Sequence, residues 1–192
     1  MGIGTVTKSI RSAVFLDRDG VLNRSVVRNG KPYPPASVDE LEVLPGVLRS
    51  LVRLKEAGFL LIAATNQPDV ARGIQQREIV EAIHVALLEM LPLDDILVCY
   101  HDDDDHCYCR KPLPGLLQEA AGRHSIDMAK SFMIGDRWRD VEAGKNAGCR
   151  TILIEYKYDE RSPRALPDMT VSSIVEAVEW ILRAPARQGD GS

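Results

Sequence analysis

The chain has 192 residues, a formal net charge of −4, 45% hydrophobic residues and 27% charged residues. This length and composition are typical of a soluble globular protein with one sizeable core, and the acidic balance argues against general nucleic-acid binding. No apolar stretch is long enough to span a bilayer, and the first eight residues lack the hydrophobic core of a signal peptide. We therefore expect a cytoplasmic monomer that is not attached to a membrane.

Apolar runs alternate with segments of helical periodicity along the chain. The first helix is expected from about Pro45 to Gly58, because proline favours a first turn and glycine a C-cap. This alternation predicts an α/β, Rossmann-like, doubly wound fold with a mostly parallel sheet and helices on both faces. The predicted strands are 13–17, 59–65, 95–100, 131–135 and 150–154, and the further helices are 76–90, 114–123, 138–147 and 171–183.

The remaining segments predict a single domain over residues 1–192 with its core at about 11–183. Residues 23–44 contain a stretch rich in turn formers and are expected to form a loop or short flap. The intervals after Asn23 and after Asn66 are too short for a large cap domain. Residues 184–192 are expected to be a mobile tail.

A pair of aspartates follows the first predicted strand. The apolar run 13–16 leads into Asp17-Arg18-Asp19-Gly20, where the glycine lets the chain turn. Asp17 is therefore expected at the carboxyl end of a strand, where open α/β sheets bind ligands, with Asp19 in the same crevice. One carboxylate of such a pair can attack an electrophile while its neighbour moves a proton.

Other polar groups occur at similar points of the predicted fold. Thr65 and Asn66 can hydrogen-bond a phosphoryl oxygen, although this pair is also typical of a turn or helix cap. Lys111 can neutralise a phosphoryl group, or it belongs to a solvated basic pair before a helix. Asp136 and Asp140 offer the hard oxygens that suit Mg²⁺; the alternative is a helix-capping Asp136 and a surface Asp140.

Cysteines and histidines cluster between residues 99 and 109, with the spacing C-x-H-x5-C-x-C. Three thiolates and an imidazole complete a tetrahedral zinc site, whereas the other interpretation is a set of free cysteines in a polar loop. Reduced thiols in a cytosolic chain favour zinc. By composition the imidazole ligand is His101 or His106, and the acidic run 102–105 is expected at a solvated loop tip. The expected sulfur ligands are Cys99, Cys107 and Cys109.

The motifs DxDG, TN, K and GDxxxD, in this order, resemble the haloacid dehalogenase-like (HAD) phosphohydrolase superfamily over residues 13–156. The resemblance implies that Asp17 takes the phosphoryl group. It implies that Asp19 protonates the leaving alkoxide and then deprotonates the hydrolytic water.

The same resemblance implies a Mg²⁺ ion held by Asp17, Asp136 and the backbone carbonyl of Asp19. Thr65, Asn66 and Lys111 would hold the transferring oxygens. For Asp140 the resemblance leaves two roles open, the orientation of the lysine and that of a metal-bound water.

The longer pattern DRDGxxN, TNQxxxARG, CxH…CxC-RKPxPG and GDxxxD resembles the heptose 1,7-bisphosphate 7-phosphatase branch, a close relative of histidinol-phosphate phosphatase. The resemblance selects His101 as the zinc ligand. It implies substrate contacts from Gln67, Arg110, Lys111 and Arg137. The two arginines suit a distal phosphate, because a guanidinium binds phosphate through two parallel hydrogen bonds. The zinc loop ends directly before Arg110 and is expected to fix its direction.

The sequence departs from the heptose pattern at Pro68-Asp69, at Arg137, in the short zinc loop and in residues 24–36. These departures concern substrate choice and leave the catalytic set intact. The leading hypothesis is a Mg²⁺-dependent phosphatase of a small sugar phosphate, foremost the 7-phosphate of D-glycero-D-manno-heptose 1,7-bisphosphate. The alternatives are histidinol phosphate or another small ester as substrate, and a non-catalytic zinc-stabilised binding protein.

Overall fold

The computed structural model describes residues 10–183, which form a six-stranded parallel sheet, five helices and a separate hairpin. The expected tail at 184–192 lies outside the described residues. The strands are β1 (Ala13–Leu16), β2 (Val26–Arg28), β3 (Lys31–Tyr33), β4 (Leu60–Asn66), β5 (Asp95–Cys99), β6 (Phe132–Gly135), β7 (Arg150–Ile154) and β8 (Met169–Val171). The helices are α1 (Val47–Glu56), α2 (Arg77–Met90), α3 (Gly115–His124), α4 (Trp138–Ala147) and α5 (Ile174–Arg183).

The order of strands in the sheet is β5-β4-β1-β6-β7-β8, and every neighbouring pair is parallel. From β1 the chain moves first towards β4 and β5, and it then continues with β6 on the other side of β1. The chain direction across the sheet therefore reverses beside β1, and the crevice at the carboxyl end of β1 is where ligands bind in sheets of this kind.

Helices cover both faces of the sheet, as the sequence predicts. On one face α1, α2 and α5 pack on the strands, with Leu51 and Val178 in the same buried cluster as Leu61. On the other face α3 brings Leu117 against Phe15, and α4 packs on β6 and β7. The strands are apolar on both sides because neither side meets water.

Three short strands were not predicted. Strands β2 and β3 form an antiparallel hairpin inside the expected flap, and β8 pairs with β7 at the edge of the sheet. Each has only three residues, which is too few to show an alternation of polar and apolar positions. Helix α5 begins at Ile174 rather than at 171 because Val171 belongs to β8.

The intervals between the core elements are small. From β1 to α1 the chain forms the hairpin and a 3-10 turn over Val38–Glu40, and from β4 to β5 it forms α2. Because these intervals are small, the segments outside the sheet that reach the site are short.

None of the helices within residues 10–183 has the length and hydropathy that a bilayer span requires.

Two glycines provide a matched test of the packing of α4. A Cβ on Gly144 would lie 2.6 Å from Thr151 Cγ2 and 2.8 Å from Met133 Cβ, whereas a Cβ on Gly122 of α3 would meet nothing within 4 Å. Alanine in a helix gains about 1 kcal/mol over glycine, but overpacking costs about 1–3 kcal/mol. We expect Gly144→Ala to lower the free energy of unfolding in urea and Gly122→Ala to raise it. Equal effects would contradict this packing.

Candidate active site

The ends of three neighbouring strands bring the polar motifs together. Asp17 follows β1, Asn66 ends β4 and Asp136 follows β6, and β1 lies between the other two strands. Asp136 has a carboxylate oxygen within 4.8 Å of one of Asp17. Asp17 and Asn66 line a cavity of about 210 Å³. Its lining includes most of the predicted site, namely Asp17, Asp19, Thr65, Asn66, Gln67, Arg110, Lys111 and Arg137.

Two motif glycines permit the carboxylates to approach this closely. Gly20 has a φ of +87°, and a Cβ there would lie 1.9 Å from Asp136 Oδ2. A Cβ on Gly135 would lie 2.1 Å from Asp140 Cβ. Any larger residue would push the aspartates away from the strand ends, which explains the glycines of DxDG and GDxxxD.

A buried lysine connects the carboxylates. Lys111 Nζ lies 2.9 Å from Asp17 Oδ1 and 2.6 Å from Asp140 Oδ1, and it donates to the carbonyl oxygen of Ala64 at 2.7 Å. Burial opposes its charge, but the two aspartates outweigh burial and raise the pKa of Lys111. Of the two roles left open for Asp140, the geometry favours the orientation of Lys111.

The carboxylate cluster has an excess of negative charge. Oxygens of Asp17, Asp136 and Asp140 lie within 4.8 Å of one another. Burial and the neighbouring carboxylates raise the pKa of Asp17 to about 6 and that of Asp136 well above its usual value. Asp136 Oδ1 is buried with no hydrogen-bond partner among the described residues. Three carboxylates against one ammonium leave two negative charges, so the donor set fits a divalent cation with oxygen ligands.

Asp19 is held apart from this cluster by five hydrogen bonds. Arg18 donates three of them, at 2.8 to 3.1 Å, and Asn23 and Gln67 donate one each at 2.9 and 2.8 Å. Burial raises the pKa of Asp19, but Arg18 and the other donors outweigh burial and lower it overall. The fully buried Arg18 also lies 3.1 Å from Nε2 of His84. Burial and Arg18 lower the pKa of His84 to about 4, so this imidazole accepts the hydrogen bond as a neutral ring.

Two predicted phosphate ligands have structural partners. The Asn66 side chain donates to the Lys111 carbonyl oxygen and accepts from the Lys111 N–H, both at 3.0 Å. Thr65 Oγ1 accepts from Gln67 Nε2 at 2.9 Å. Asn66 therefore holds the loop that carries the lysine, and Thr65 helps to hold the glutamine that contacts Asp19.

The cysteine cluster is compact enough for a metal. The sulfur of Cys99 lies 3.6 Å from that of Cys107 and 3.0 Å from that of Cys109, and Nδ1 of His101 lies 3.2 Å from the Cys109 sulfur. Zn–S bonds of about 2.3 Å in a tetrahedron separate sulfurs by about 3.8 Å. The distance from Cys99 to Cys107 is close to this value, and the distance from Cys99 to Cys109 is shorter. Of the two candidate imidazoles, His101 joins the group and His106 does not. The set fits a closed zinc site.

The acidic run in this loop is more than a solvated tip. It forms a 3-10 turn over Asp103–Asp105, and Asp102 caps the turn and pairs with Arg72 at 2.6 Å. Asp103 lies 2.8 Å from Arg110, which also donates to the His101 carbonyl oxygen at 3.3 Å. Asp103, Asp104 and Asp105 are exposed, as expected of a solvated tip, but the loop also folds back so that Asp102 and Asp103 meet arginines at the cavity.

The segment that follows β7 contributes groups that the sequence analysis missed. Tyr158 donates to Asp136 Oδ2 at 2.9 Å, and Glu160 pairs with Arg137. The backbone N–H of Asp159 donates to the carbonyl oxygen of Gly30 in the hairpin turn at 2.9 Å. The sequence of this segment contains no recognisable motif, because its residues reach the site through contacts with residues more than 20 positions earlier in the chain. Lys31 to Pro34 of the hairpin line the cavity, as expected of a flap over the site.

Comparison with known proteins agrees with this fold. A HAD-hydrolase-like family model matches residues 108–177. The D-glycero-beta-D-manno-heptose-1,7-bisphosphate 7-phosphatase of Bordetella bronchiseptica is 38% identical over 147 residues, covering 74% of this chain and 79% of the relative. The corresponding phosphatase of Thermosynechococcus vestitus is 33% identical, covering 89% and 95%. A crystal structure of the B. bronchiseptica heptose phosphatase with magnesium and phosphate superposes with a TM-score of 0.75 at 32% identity, covering 89% and 98%.

The parallel sheet, with carboxylates after β1 and β6 facing a buried lysine, defines a HAD-like hydrolase. The chain belongs to the HAD phosphatase family that contains these heptose bisphosphate phosphatases, and it is itself a phosphatase.

The cysteine cluster predicts a specific effect of ligand loss. We expect Cys107→Ser to reduce bound zinc, measured by inductively coupled plasma mass spectrometry, and to lower thermal stability and kcat/KM together, because the loop positions Arg110. Cys149→Ala is the control, since this buried cysteine lies outside the cluster and should leave the zinc content unchanged. A zinc-free Cys107→Ser protein with unchanged kinetics would contradict the role given to the loop.

The raised carboxyl pKa values predict how magnesium affinity depends on pH. In the metal-free protein Asp17 is protonated below about pH 6, and the raised pKa of Asp136 favours its protonated form as well. Magnesium must displace these protons, so the dissociation constant rises as pH falls, by up to about tenfold per pH unit for each displaced proton. Calorimetric titration between about pH 5.5 and 7.5 measures this dependence. A dissociation constant that does not vary with pH would refute the shared site.

Proposed function

We propose that the chain is a cytoplasmic, monomeric, Mg²⁺-dependent phosphatase that hydrolyses the 7-phosphate of D-glycero-D-manno-heptose 1,7-bisphosphate through an aspartyl-phosphate. The observation that carries the chemistry is the carboxylate of Asp17 at 2.9 Å from the buried ammonium of Lys111, at the carboxyl end of the central strand. The relatives from B. bronchiseptica and T. vestitus are heptose 1,7-bisphosphate 7-phosphatases, which supports the heptose bisphosphate as the substrate.

Asp17 is the proposed nucleophile. Among residues 10–183 its hydrogen-bond donors are Lys111 Nζ and the N–H of Arg18, which both bind Oδ1, at 2.9 and 2.8 Å, and leave Oδ2 for attack on phosphorus. A bond from Oδ2 to phosphorus forms as the bond from phosphorus to the sugar oxygen breaks. Lys111 keeps its charge in this site and offsets the negative charge of the phosphoryl oxygens during the transfer.

Asp19 is the proposed proton carrier. As an anion held by Arg18, Asn23 and Gln67 it is ready to deprotonate the water that hydrolyses the aspartyl-phosphate. Its acid role, protonation of the leaving alkoxide, requires a higher pKa. The negative phosphoryl group of a bound substrate raises the pKa of a nearby carboxyl group in this direction.

Asp17, Asp136 and the backbone carbonyl of Asp19 are the proposed ligands of the magnesium ion. When bound, the ion orients the phosphoryl group and offsets the repulsion between the negative charge of this group and that of the attacking carboxylate. Asp136 is suited to this role by its unpartnered Oδ1, while Tyr158 fixes its other oxygen. A second set of ligands, Cys99, His101, Cys107 and Cys109, is proposed to hold a structural zinc ion.

The preference for a bisphosphate rests on cations that the reacting phosphoryl group does not need. Arg110 and Arg137 line the cavity together with Asp17, and each can hold a phosphate through parallel hydrogen bonds. Histidinol phosphate carries one phosphate and a basic imidazole end, so it has no second anionic group for either guanidinium group. The presence of these two arginines at the cavity therefore favours the bisphosphate over the other substrate considered.

A substrate panel tests the proposal. We expect kcat/KM for the heptose bisphosphate to exceed that for histidinol phosphate and for simple sugar monophosphates by at least about a hundredfold. This ratio is equivalent to two charge-assisted hydrogen bonds of about 1.5 kcal/mol each. Equal kcat/KM values across the panel would exclude the heptose bisphosphate as the preferred substrate.

A variant of Asp17 tests the proposed nucleophile. Asp17→Asn is expected to abolish phosphate release and to retain zinc, because the two sites are separate. Full phosphate release by Asp17→Asn would exclude Asp17 as the nucleophile.

A further inference from the structure

The charges lining the cavity are balanced before any substrate enters. Among the described residues, six acidic and six basic side chains line it. Several of the basic groups are already paired: Lys111 with Asp17, Arg110 with Asp103 and Arg137 with Glu160. A phosphate that binds an arginine here must therefore compete with a carboxylate of the protein itself.

The pair between Glu160 and Arg137 has the geometry that a phosphate would use. Arg137 Nε donates to Glu160 Oε2 at 3.0 Å, and its terminal nitrogen NH2 donates to the other carboxylate oxygen. These two parallel hydrogen bonds cover the edge of the guanidinium that a phosphate binds. Both side chains line the cavity, so a distal phosphate that binds this edge of Arg137 has to replace the carboxylate of Glu160.

Displacement of the Glu160 carboxylate does not require a helix or strand to unfold. Glu160 lies in the segment between β7 and β8, which has no regular secondary structure from residue 155 to 168. Asp103 differs, since it belongs to a capped 3-10 turn in the zinc loop and lies near two arginines, Arg110 at 2.8 Å and Arg139 at 3.4 Å. Displacement of the Glu160 carboxylate therefore breaks its pair with Arg137 alone, whereas displacement of Asp103 breaks contacts with two arginines.

We propose that Glu160 is an intramolecular competitor for the distal phosphate, which sets the affinity of Arg137 for that group and speeds release of the product that retains it. This inference rests on the proposed bisphosphate substrate. The competing carboxylate weakens the binding of substrate and product alike, because both carry the distal phosphate. It has no effect on a substrate without that group, for which the pair stays closed.

The test compares Glu160→Gln with wild-type enzyme in the presence of magnesium. The amide keeps the size of the side chain and removes its charge. We expect the KM for the heptose bisphosphate and the inhibition constant of its 1-phosphate product each to fall about tenfold, since a charge-assisted hydrogen bond contributes about 1.5 kcal/mol. The KM for heptose 7-phosphate, which lacks the distal phosphate, should not change. Glu160→Ala provides a second variant without charge and should act in the same direction.

Glu142→Gln is the matched control. Glu142 forms the same kind of two-bond pair with Arg161, at 2.8 and 3.0 Å, but does not line the cavity, so both constants should stay at wild-type values. If the bisphosphate is a substrate of the wild type and both Glu160 variants leave the two constants unchanged or raise them, Glu160 is a structural partner and the inference is wrong. If the wild type does not hydrolyse the bisphosphate, the proposed function fails first, and the inference fails with it.

Discussion

The site depends on three buried carboxylates that share one buried ammonium. Asp17, Asp136 and Asp140 converge at the carboxyl ends of β1 and β6, and Lys111 neutralises only one of their charges. Like charges at this distance in a buried site are costly, and the raised pKa values of Asp17 and Asp136 express that cost. A divalent cation bound between them would offset this repulsion, so the electrostatics of the cluster favour a metal ion. Gly20 and Gly135 have no side chains and allow the carboxylates to come so close.

The rim of the cavity is built by short segments outside the sheet. The hairpin β2–β3, the cysteine loop and the segment after β7 each bring charged groups to it. Arginines that line the cavity are pre-paired with acidic side chains, for example Arg110 with Asp103 and Arg72 with Asp102. Ion pairs with an exposed partner contribute little net stability, so their main effect is to hold the guanidinium groups in position. In the proposed function, the floor of the site carries out the reaction and the rim selects the phosphate ester.

Much of the fold follows from local patterns. The five apolar runs are strands within one or two residues of their predicted bounds, and each predicted helix is present, because long amphipathic or fully apolar segments show their period in the sequence. The hairpin and β8 have three residues each, and their pairing depends on neighbours that the local sequence does not reveal. The acidic run at 102–105 has the composition of a solvated loop, yet Asp103 reaches Arg110, since the loop folds back on itself.

The sequence by itself determined the fold class and the chemical nature of the site. Its motifs sit directly after apolar runs, and a parallel sheet necessarily gathers the ends of such runs at one edge. The tertiary structure alone decided which partner each charged group has. Arg18 with His84, Tyr158 with Asp136 and Glu160 with Arg137 are pairs separated by 66, 22 and 23 positions. No period or spacing encodes them, because they arise only when packed elements bring distant side chains within hydrogen-bond distance.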